Sequence, residues 1–226
     1  MKVSKNVVKL LVAAGALAVA TGAQAQSKGQ FTVSVGANML KPHVESGFIS
    51  APALPGSQGD VSKDTQPVAV ITYGLTDNIS VESAIGTPYK HKLYGAGAIA
   101  GTGQLGTVQA LPAIALLQYR FFSPTSMIRP FVGIGVTYAM FQKETGSFAM
   151  TALTNPGATT PTTFRIDNKW TYSGQLGLQF NVTEKWFANA AFIKTKLSTD
   201  VHFSTNQHQH MKLDPDSYIL SVGYKF

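Results

Sequence analysis

Three histidines lie close together near the C-terminus of the chain, at His202, His208 and His210. A neutral imidazole is a common metal ligand, and two of them could share one ion. A metal site would normally add a carboxylate or thiolate ligand, and we expect neither beside these histidines. The sequence therefore favours a solvated loop here, and it predicts neither a metal nor another cofactor.

Two further patterns resemble catalytic or nucleotide-binding motifs. Residues 101–106 spell G-x-G-x-x-G, which binds a dinucleotide where a strand leads into a helix. No clear strand precedes this segment and the usual acidic partner is missing, so its glycines indicate a loop. Chemistry on acyl chains would need a nucleophile and a base, for which Ser147 and His43 are candidates. Nothing in the sequence holds these two side chains together, so we do not expect an enzyme.

The N-terminal 25 residues have the composition of an export signal. Three lysines precede or adjoin the apolar run 10–20, and residues 23–25 (AQA) fit the small-x-small cleavage rule. The apolar run is too short to span a bilayer, which disfavours an uncleaved anchor helix. We therefore predict a signal peptide over residues 1–25 and one mature domain over residues 26–226.

Composition limits the class of the mature domain. Charged residues make up 13% of the chain, where a soluble domain usually has about a quarter. The net charge of +7 includes the three lysines of the presequence, so the mature domain is less basic than this number suggests. We therefore expect no nucleic-acid partner. Beyond the presequence, no apolar run is long enough to predict a transmembrane helix. An exported chain with these properties is typical of an outer-membrane β-barrel.

Alternating apolar and polar residues predict eight strands joined as an up-and-down meander. The predicted strands are residues 30–42, 65–75, 79–91, 106–122, 128–143, 164–182, 185–203 and 209–226. Short and long connections alternate, which places both termini on the short-turn, periplasmic side. A backbone in lipid must pair all of its polar groups, so the predicted fold is all-β, a closed eight-stranded antiparallel transmembrane β-barrel.

The two faces of each predicted strand differ in composition. In the sixth strand, Trp170, Tyr172 and Leu176 share one parity, and Ser173 and Gln175 share the other. A soluble lipocalin-like barrel would turn its polar face outward. Here the apolar face also carries aromatic residues at the strand ends, as a lipid-facing wall does. The predicted periplasmic girdle comprises Tyr73, Tyr119, Phe180, Trp186, Tyr224 and Phe226, and the predicted outer girdle comprises Tyr89, Tyr138 and Trp170.

The chain ends inside a predicted strand, on the aromatic residue Phe226. The last strand of a closed barrel must pair with the first, so its end cannot fray. A terminal strand that ends in Phe, here with Tyr224 two residues earlier, also resembles the signal read by the outer-membrane barrel assembly machinery. We expect that machinery to be a partner during biogenesis and outer-membrane lipid to surround the mature protein.

The lumen-facing parity of the predicted strands is not uniformly polar. A water-filled porin would carry charged residues on this face. Eight apolar side chains lie on it instead and define a predicted substrate path: Leu40, Val68, Val70, Ala84, Phe131, Ile193, Leu197 and Ile219. This composition favours a route for apolar molecules.

Six stretches of the chain resemble the OmpW family of small outer-membrane barrels. They are SVGANMLKP (34–42), DTQPVAVITYGLTDNISVESAIGTPYKHKL (64–93), LPAIALLQYRF (111–121), IRPFVGIGVTYAMF (128–141), NKWTYSGQLGLQF (168–180) and LDPDSYILSVGYKF (213–226). The resemblance implies passive uptake of small hydrophobic molecules through a narrow lumen, with sideways exit into the membrane. Family members can narrow that lumen with a leucine and a tryptophan. The smaller Ala84 and Ile193 stand at the positions that we align with them.

Two prolines suggest where a solute would leave the barrel. Proline cannot donate to a strand ladder, and a closed barrel has no edge strand to accommodate it. Pro88 lies in the third predicted strand and Pro112 in the fourth, which are neighbours. We therefore predict a lateral exit between these two strands. Two alternatives stay open: the prolines merely end their strands early, or the barrel is a non-transporting structural or adhesive protein.

Overall fold

The computed structural model describes residues 28–226, so the predicted signal peptide over residues 1–25 lies outside the described residues. The described part of the chain forms fourteen strands and one short helix. The strands are β1 (Phe31–Lys41), β2 (Glu45–Ser46), β3 (Ser57–Val61), β4 (Asp64–Gly74), β5 (Ile79–Gly86), β6 (Tyr89–Gly97), β7 (Gln104–Arg120), β8 (Ile128–Gly146), β9 (Phe164–Ile166), β10 (Lys169–Asn181), β11 (Trp186–Thr195), β12 (Ser198–Phe203), β13 (His208–Lys212) and β14 (Asp216–Lys225). Helix α1 is Phe148–Thr154.

The barrel wall has eight positions, each hydrogen-bonded to its two neighbours in an antiparallel arrangement. Strands β5 and β6 together occupy one of these positions. The order around the wall is β1, β4, β5–β6, β7, β8, β10, β11 and β14, and β14 pairs with β1 to close the ring. This arrangement confirms the predicted eight-stranded antiparallel barrel. Within residues 28–226, no helix is long and apolar enough to cross a membrane.

The C-terminal strand is paired along its whole length. Its register with β1 runs from Thr32 opposite Lys225 to Lys41 opposite Asp216. The amide of Phe226 donates to the carbonyl of Phe31 at 2.9 Å, so the chain is held up to its last residue. This closure explains why strand periodicity continues to the end of the sequence.

The two faces of the wall follow the predicted parity. In β10, Trp170 is 72% exposed while Gln175 is 3% exposed, and in β14, Leu220 is 67% exposed while Ile219 is 3% exposed. Aromatic side chains cluster near the chain end, where the ring centroids of Trp186 and Tyr224 lie 5.2 Å apart. The apolar face of β10 and β14 therefore points outward, towards lipid.

Four of the predicted strands are interrupted. The prediction for residues 79–91 becomes β5 and β6, and those for 164–182, 185–203 and 209–226 become β9 with β10, β11 with β12, and β13 with β14. One interruption has a clear physical cause: Asp214 has a φ of 30° and the carboxylate accepts from the amide of Leu197 at 2.9 Å. The side chain thus replaces a ladder bond where the strands bend.

The extracellular end contains structure that the sequence did not predict. Strands β9, β12 and β13 join β2 in a separate four-stranded sheet with the order β2-β13-β12-β9. The long connection between the first and second predicted strands contains β3. The long connection between the fifth and sixth contains α1, where the amide of Met150 donates to the Ser147 hydroxyl at 3.3 Å. These elements enclose an apolar cluster that includes Ile99, Leu105, Val108, Met150, Phe164 and Met211.

Candidate functional site

The extracellular half of the barrel encloses an apolar cavity of about 140 Å³. Six residues of the predicted path line it: Leu40, Val68, Ala84, Ile193, Leu197 and Ile219. A dry apolar cavity of about 150 Å³ holds a benzene molecule, so this space suits a small hydrophobic ligand. The other two predicted residues, Val70 and Phe131, lie outside the cavity lining.

The floor of the cavity is a packed apolar layer. Val70 and Leu116 are buried there, in one cluster with cavity-lining side chains such as Val68 and Ile219. Leu116 was not predicted to face the lumen, because β7 has a long apolar run in which the two faces look alike. Gln118 and Arg120, which share its parity, are the residues that could have assigned the face. Below Leu116 the lumen becomes polar.

A polar layer centred on Arg120 lies in the periplasmic half of the lumen. The guanidinium donates from Nε to the Ser80 hydroxyl at 3.0 Å and from Nη2 to Gln118 Oε1 at 2.8 Å, and it also donates to Gln179. Glu82 lies 4.0 Å from the same guanidinium. All five side chains are buried. A buried charge is tolerated when it is paired and hydrogen-bonded, as these are.

Several further groups complete this layer. Glu82 accepts from Gln175 Nε2 at 2.8 Å, and Gln175 Oε1 accepts from Gln118 Nε2 at 2.6 Å. Phe131 packs against Arg120, with the guanidinium 4.9 Å from the ring centroid. In the part of the chain that the structure describes, the apolar cavity therefore ends below on a dense hydrogen-bonded layer.

Replacing Arg120 with alanine should destabilise the barrel by about 3–5 kcal/mol, because it leaves the buried Glu82 carboxylate without its cation. Chemical unfolding in lipid vesicles would measure the change. Arg165→Ala is the matched control, since Arg165 is 72% exposed and pairs with Asp167 at 3.2 Å. This surface pair should contribute less than about 1 kcal/mol. Equal losses in the two variants would contradict a structural role for the polar layer.

The barrel wall is interrupted beside the cavity. Backbone pairing of β5 with β7 ends at Ala84 and Ile114, and pairing of β6 with β7 begins at Tyr89 and Ala110. The four residues 85–88 therefore face the three residues 111–113 of β7, so one strand has an extra residue, as in a β-bulge. We call this interruption, residues 85–88 and 111–113, the wall gap.

The two predicted prolines lie inside the wall gap. Neither Pro88 nor Pro112 has an amide N–H to donate across it. Among the residues that the structure describes, no hydrogen bond joins 85–88 to 111–113. Gly86 and Pro112 line the cavity, so the cavity extends to this break in the wall. The gap lies at the height of the outer aromatic girdle, because Ala113 pairs with Tyr138.

The wall on the other side of this segment is bridged by side chains. Backbone pairing between β4 and β5 stops at Val68 and Gly86. Above that point the Asp64 carboxylate accepts from the amide of Lys90 at 2.7 Å, and the Thr87 hydroxyl donates to Gln66 Oε1 at 2.8 Å. Among the described residues, no such side-chain bridge joins residues 85–88 to residues 111–113 of β7.

The extra residue in the wall gap reverses the faces of the strand that follows. Glu82 points inward in β5, whereas Tyr89 and His91 point inward in β6. A shift of one residue moves every later side chain to the opposite face of a sheet. The prediction that Tyr89 belongs to the outer aromatic girdle is therefore wrong: Tyr89 is 4% exposed and lines the cavity.

The candidate catalytic and metal-binding residues do not form a reactive site. The Ser147 hydroxyl caps α1, while His43 contacts the Asp216 carboxylate at 2.6 Å. The expectation of no carboxylate near the three histidines is wrong, because His210 lies 2.7 Å from an Asp200 oxygen and His202 lies 3.3 Å from Asp167. Over residues 28–226, however, no group of three or more potential ligands is placed to hold a metal ion.

Tyr224 and Phe226, the residues of the expected assembly signal, lie in the periplasmic girdle. Their ring centroids are 5.0 Å apart, and Phe226 also lies 6.1 Å from the ring of Phe31 on the first strand. Phe226 is 70% exposed on the outer face of the barrel. These contacts place both residues at the junction that closes the barrel.

Comparison with known proteins agrees with this architecture. The sequence profile of the OmpW family matches residues 27–226. Outer membrane protein W of Salmonella typhi is 31% identical over 228 residues, which cover 96% of this chain and 99% of that protein. The crystal structure of OprG from Pseudomonas aeruginosa has a TM-score of 0.79 at 26% identity, and the alignment covers 89% of this chain and 97% of OprG.

A second solved structure is similar along most of its length. The solid-state NMR structure of outer membrane protein AlkL in lipid bilayers has a TM-score of 0.64 at 27% identity, with 92% of this chain and 95% of AlkL covered. These similar proteins are all outer-membrane proteins, and the barrel with its outward apolar face has the same location. Because the family profile spans the whole described barrel, this chain belongs to the OmpW family.

Proposed function

We propose that the protein is a passive channel through which small hydrophobic molecules enter the outer membrane. One observation carries the proposal: the apolar cavity is blocked below by the polar layer around Arg120 but reaches the wall gap at its side. A solute enters the cavity from the extracellular side, leaves between β5–β6 and β7, and never crosses the periplasmic half of the lumen.

The direction of transfer follows from the hydrophobic effect. Burying one CH₂ group is worth about 0.8 kcal/mol, so lipid is a more favourable destination than the aqueous periplasm. The wall gap lies at the height of Tyr138 and Trp170, whose ring centroids are 4.8 Å apart on the outer face. A solute that passes Pro88 and Pro112 therefore emerges near the upper boundary of the hydrocarbon region.

A purely structural or adhesive role is the alternative, and the lumen argues against it. A small barrel that only braces the envelope fills its interior with side chains. This barrel does so below Leu116 but keeps an apolar space above it.

We also propose that Tyr224 and Phe226 are recognised by the barrel assembly machinery during insertion.

A dye-entry assay tests the proposed channel. A bacterial strain that lacks outer-membrane channels of this family would be compared with the same strain producing the protein. The reporter is an apolar naphthylamine dye that fluoresces only in lipid. We expect faster dye entry with the protein and no increase in permeability to a charged antibiotic. Equal dye entry in the two strains would refute the proposal.

A further inference from the structure

A polar pair interrupts the apolar lining of the cavity. Asn38 on β1 and Tyr89 on β6 both line the cavity and are 7% and 4% exposed. The Asn38 amide donates from Nδ2 to the Tyr89 hydroxyl at 2.7 Å. Asn38 Oδ1 is buried, and it has no hydrogen-bond partner within the described part of the chain.

An unpaired buried carbonyl is unfavourable, because it has lost its hydrogen bonds to water and gained none in their place. The Tyr89 hydroxyl accepts from Asn38, and its own hydrogen remains able to donate. The pair therefore offers one acceptor and one donor towards a ligand. If the amide is turned by 180°, the Tyr89 hydroxyl donates to Asn38 Oδ1. The Asn38 amide nitrogen can then donate to a ligand and the Tyr89 oxygen can accept from it, so the pair still offers one donor and one acceptor.

The neighbouring histidine keeps this part of the cavity uncharged. His91 stacks on Tyr89, with ring centroids 6.3 Å apart, and its Nδ1 lies 2.6 Å from the Ser62 carbonyl, to which it must donate. It pairs with Val108, beyond the girdle and outside the membrane-spanning wall. Burial lowers the pKa of His91, although the Ser62 carbonyl and nearby Asp64 act in the opposite direction. A neutral imidazole provides no attraction for a carboxylate.

Building on the proposed channel, we propose that Asn38 and Tyr89 bind the hydroxyl group of an aliphatic alcohol and thereby favour alcohols over alkanes of equal length. A hydroxyl can donate to Asn38 Oδ1 and accept from Tyr89 at the same time, while an alkyl chain occupies the apolar space. Tyr89 directly follows residues 85–88, so the bound hydroxyl lies next to the wall gap.

Competition between two solutes tests this selectivity. Isotopically labelled 1-octanol and n-octane would be supplied together, below saturation, to liposomes whose outer leaflet contains lipopolysaccharide, with and without the protein. Asn38→Leu and Tyr89→Phe each remove half of the polar pair. Asn189→Leu is the control. Asn189 Oδ1 is also buried and has no hydrogen-bond partner within residues 28–226, but Asn189 does not line the cavity.

We expect the protein-dependent flux ratio of octanol to octane to fall about fivefold or more in Asn38→Leu and Tyr89→Phe, in line with the loss of about 1 kcal/mol per hydrogen bond. The ratio should not change in Asn189→Leu. An unchanged ratio in folded Tyr89→Phe would overturn the alcohol site while leaving the channel intact. If the wild-type protein accelerates neither solute, the proposed channel itself is wrong.

Discussion

A disulfide across the wall gap should abolish the uptake of hydrophobic solutes, and reduction should restore it. Ile85 and Ala113 come one residue beyond the last pair between β5 and β7, and both are exposed on the outer face. Facing residues of antiparallel strands lie about 4.5–5.5 Å apart, within the range that a disulfide spans. Since the protein has no native cysteine, Ile85→Cys with Ala113→Cys would give one defined crosslink.

A second crosslink provides the control. Val81 and Leu117 face each other lower on the same two strands, where the wall is already paired, and both side chains point outward. Val81→Cys with Leu117→Cys should leave dye entry unchanged in either redox state. If the oxidised crosslink at 85 and 113 also leaves dye entry unchanged, solutes do not leave through the wall gap.

A charge introduced into the cavity should have the next largest effect. Ile193 is 4% exposed, lines the cavity and packs near Val68 and Ile219. An Asp at this position either remains poorly solvated, at a cost of several kcal/mol, or brings water that an apolar solute must displace. A barrier raised by about 3 kcal/mol slows entry of the naphthylamine dye about a hundredfold.

Ile193→Leu is the control for this substitution, because it keeps the volume and polarity of the side chain. It should alter dye entry less than about threefold, since volume-conserving swaps are well tolerated. Both variants would first be checked for the heat-dependent gel mobility of a folded barrel. Wild-type dye entry in folded Ile193→Asp would show that the cavity is not the substrate path.

Much of the barrel could be predicted from the sequence because lipid imposes a period of two on the wall. In β10 and β14 the alternation is clear, and Trp170, Gln175, Leu220 and Ile219 all face the side that it indicates. The same physical constraint predicts closure, since an unpaired strand edge cannot remain in hydrocarbon. Eight wall positions and the pairing of the last strand with the first therefore follow from the pattern.

The interruptions of the strands could not be predicted in this way. Alternation continues through Leu213 and Asp214, where a side chain replaces a ladder bond. At the wall gap, the single extra residue changes the face of Tyr89 without changing the local composition. Pro88 and Pro112 mark this position in the sequence. The unequal number of residues on the two strands becomes visible only in the pairing of β5 and β6 with β7.

The candidate site shows the same division. Apolar residues such as Val68, Ile193 and Ile219 could be placed on the inner face from parity alone. The layer around Arg120 could not, because its members come from β5, β7 and β10 and only the closed barrel brings them together. Asn38 and Tyr89 are 51 residues apart in sequence, and nothing in the sequence indicates their hydrogen bond.

The most direct test of lateral exit is to follow where a solute first arrives. The protein would be inserted into liposomes with lipopolysaccharide in the outer leaflet and a membrane-impermeant fluorescence quencher trapped inside. The naphthylamine dye would then be added by stopped flow. Exit through the wall gap predicts protein-dependent fluorescence from the bilayer, with an initial rate that the trapped quencher does not reduce. A rate equal to that of protein-free liposomes, or immediate quenching by the interior solution, would contradict lateral exit.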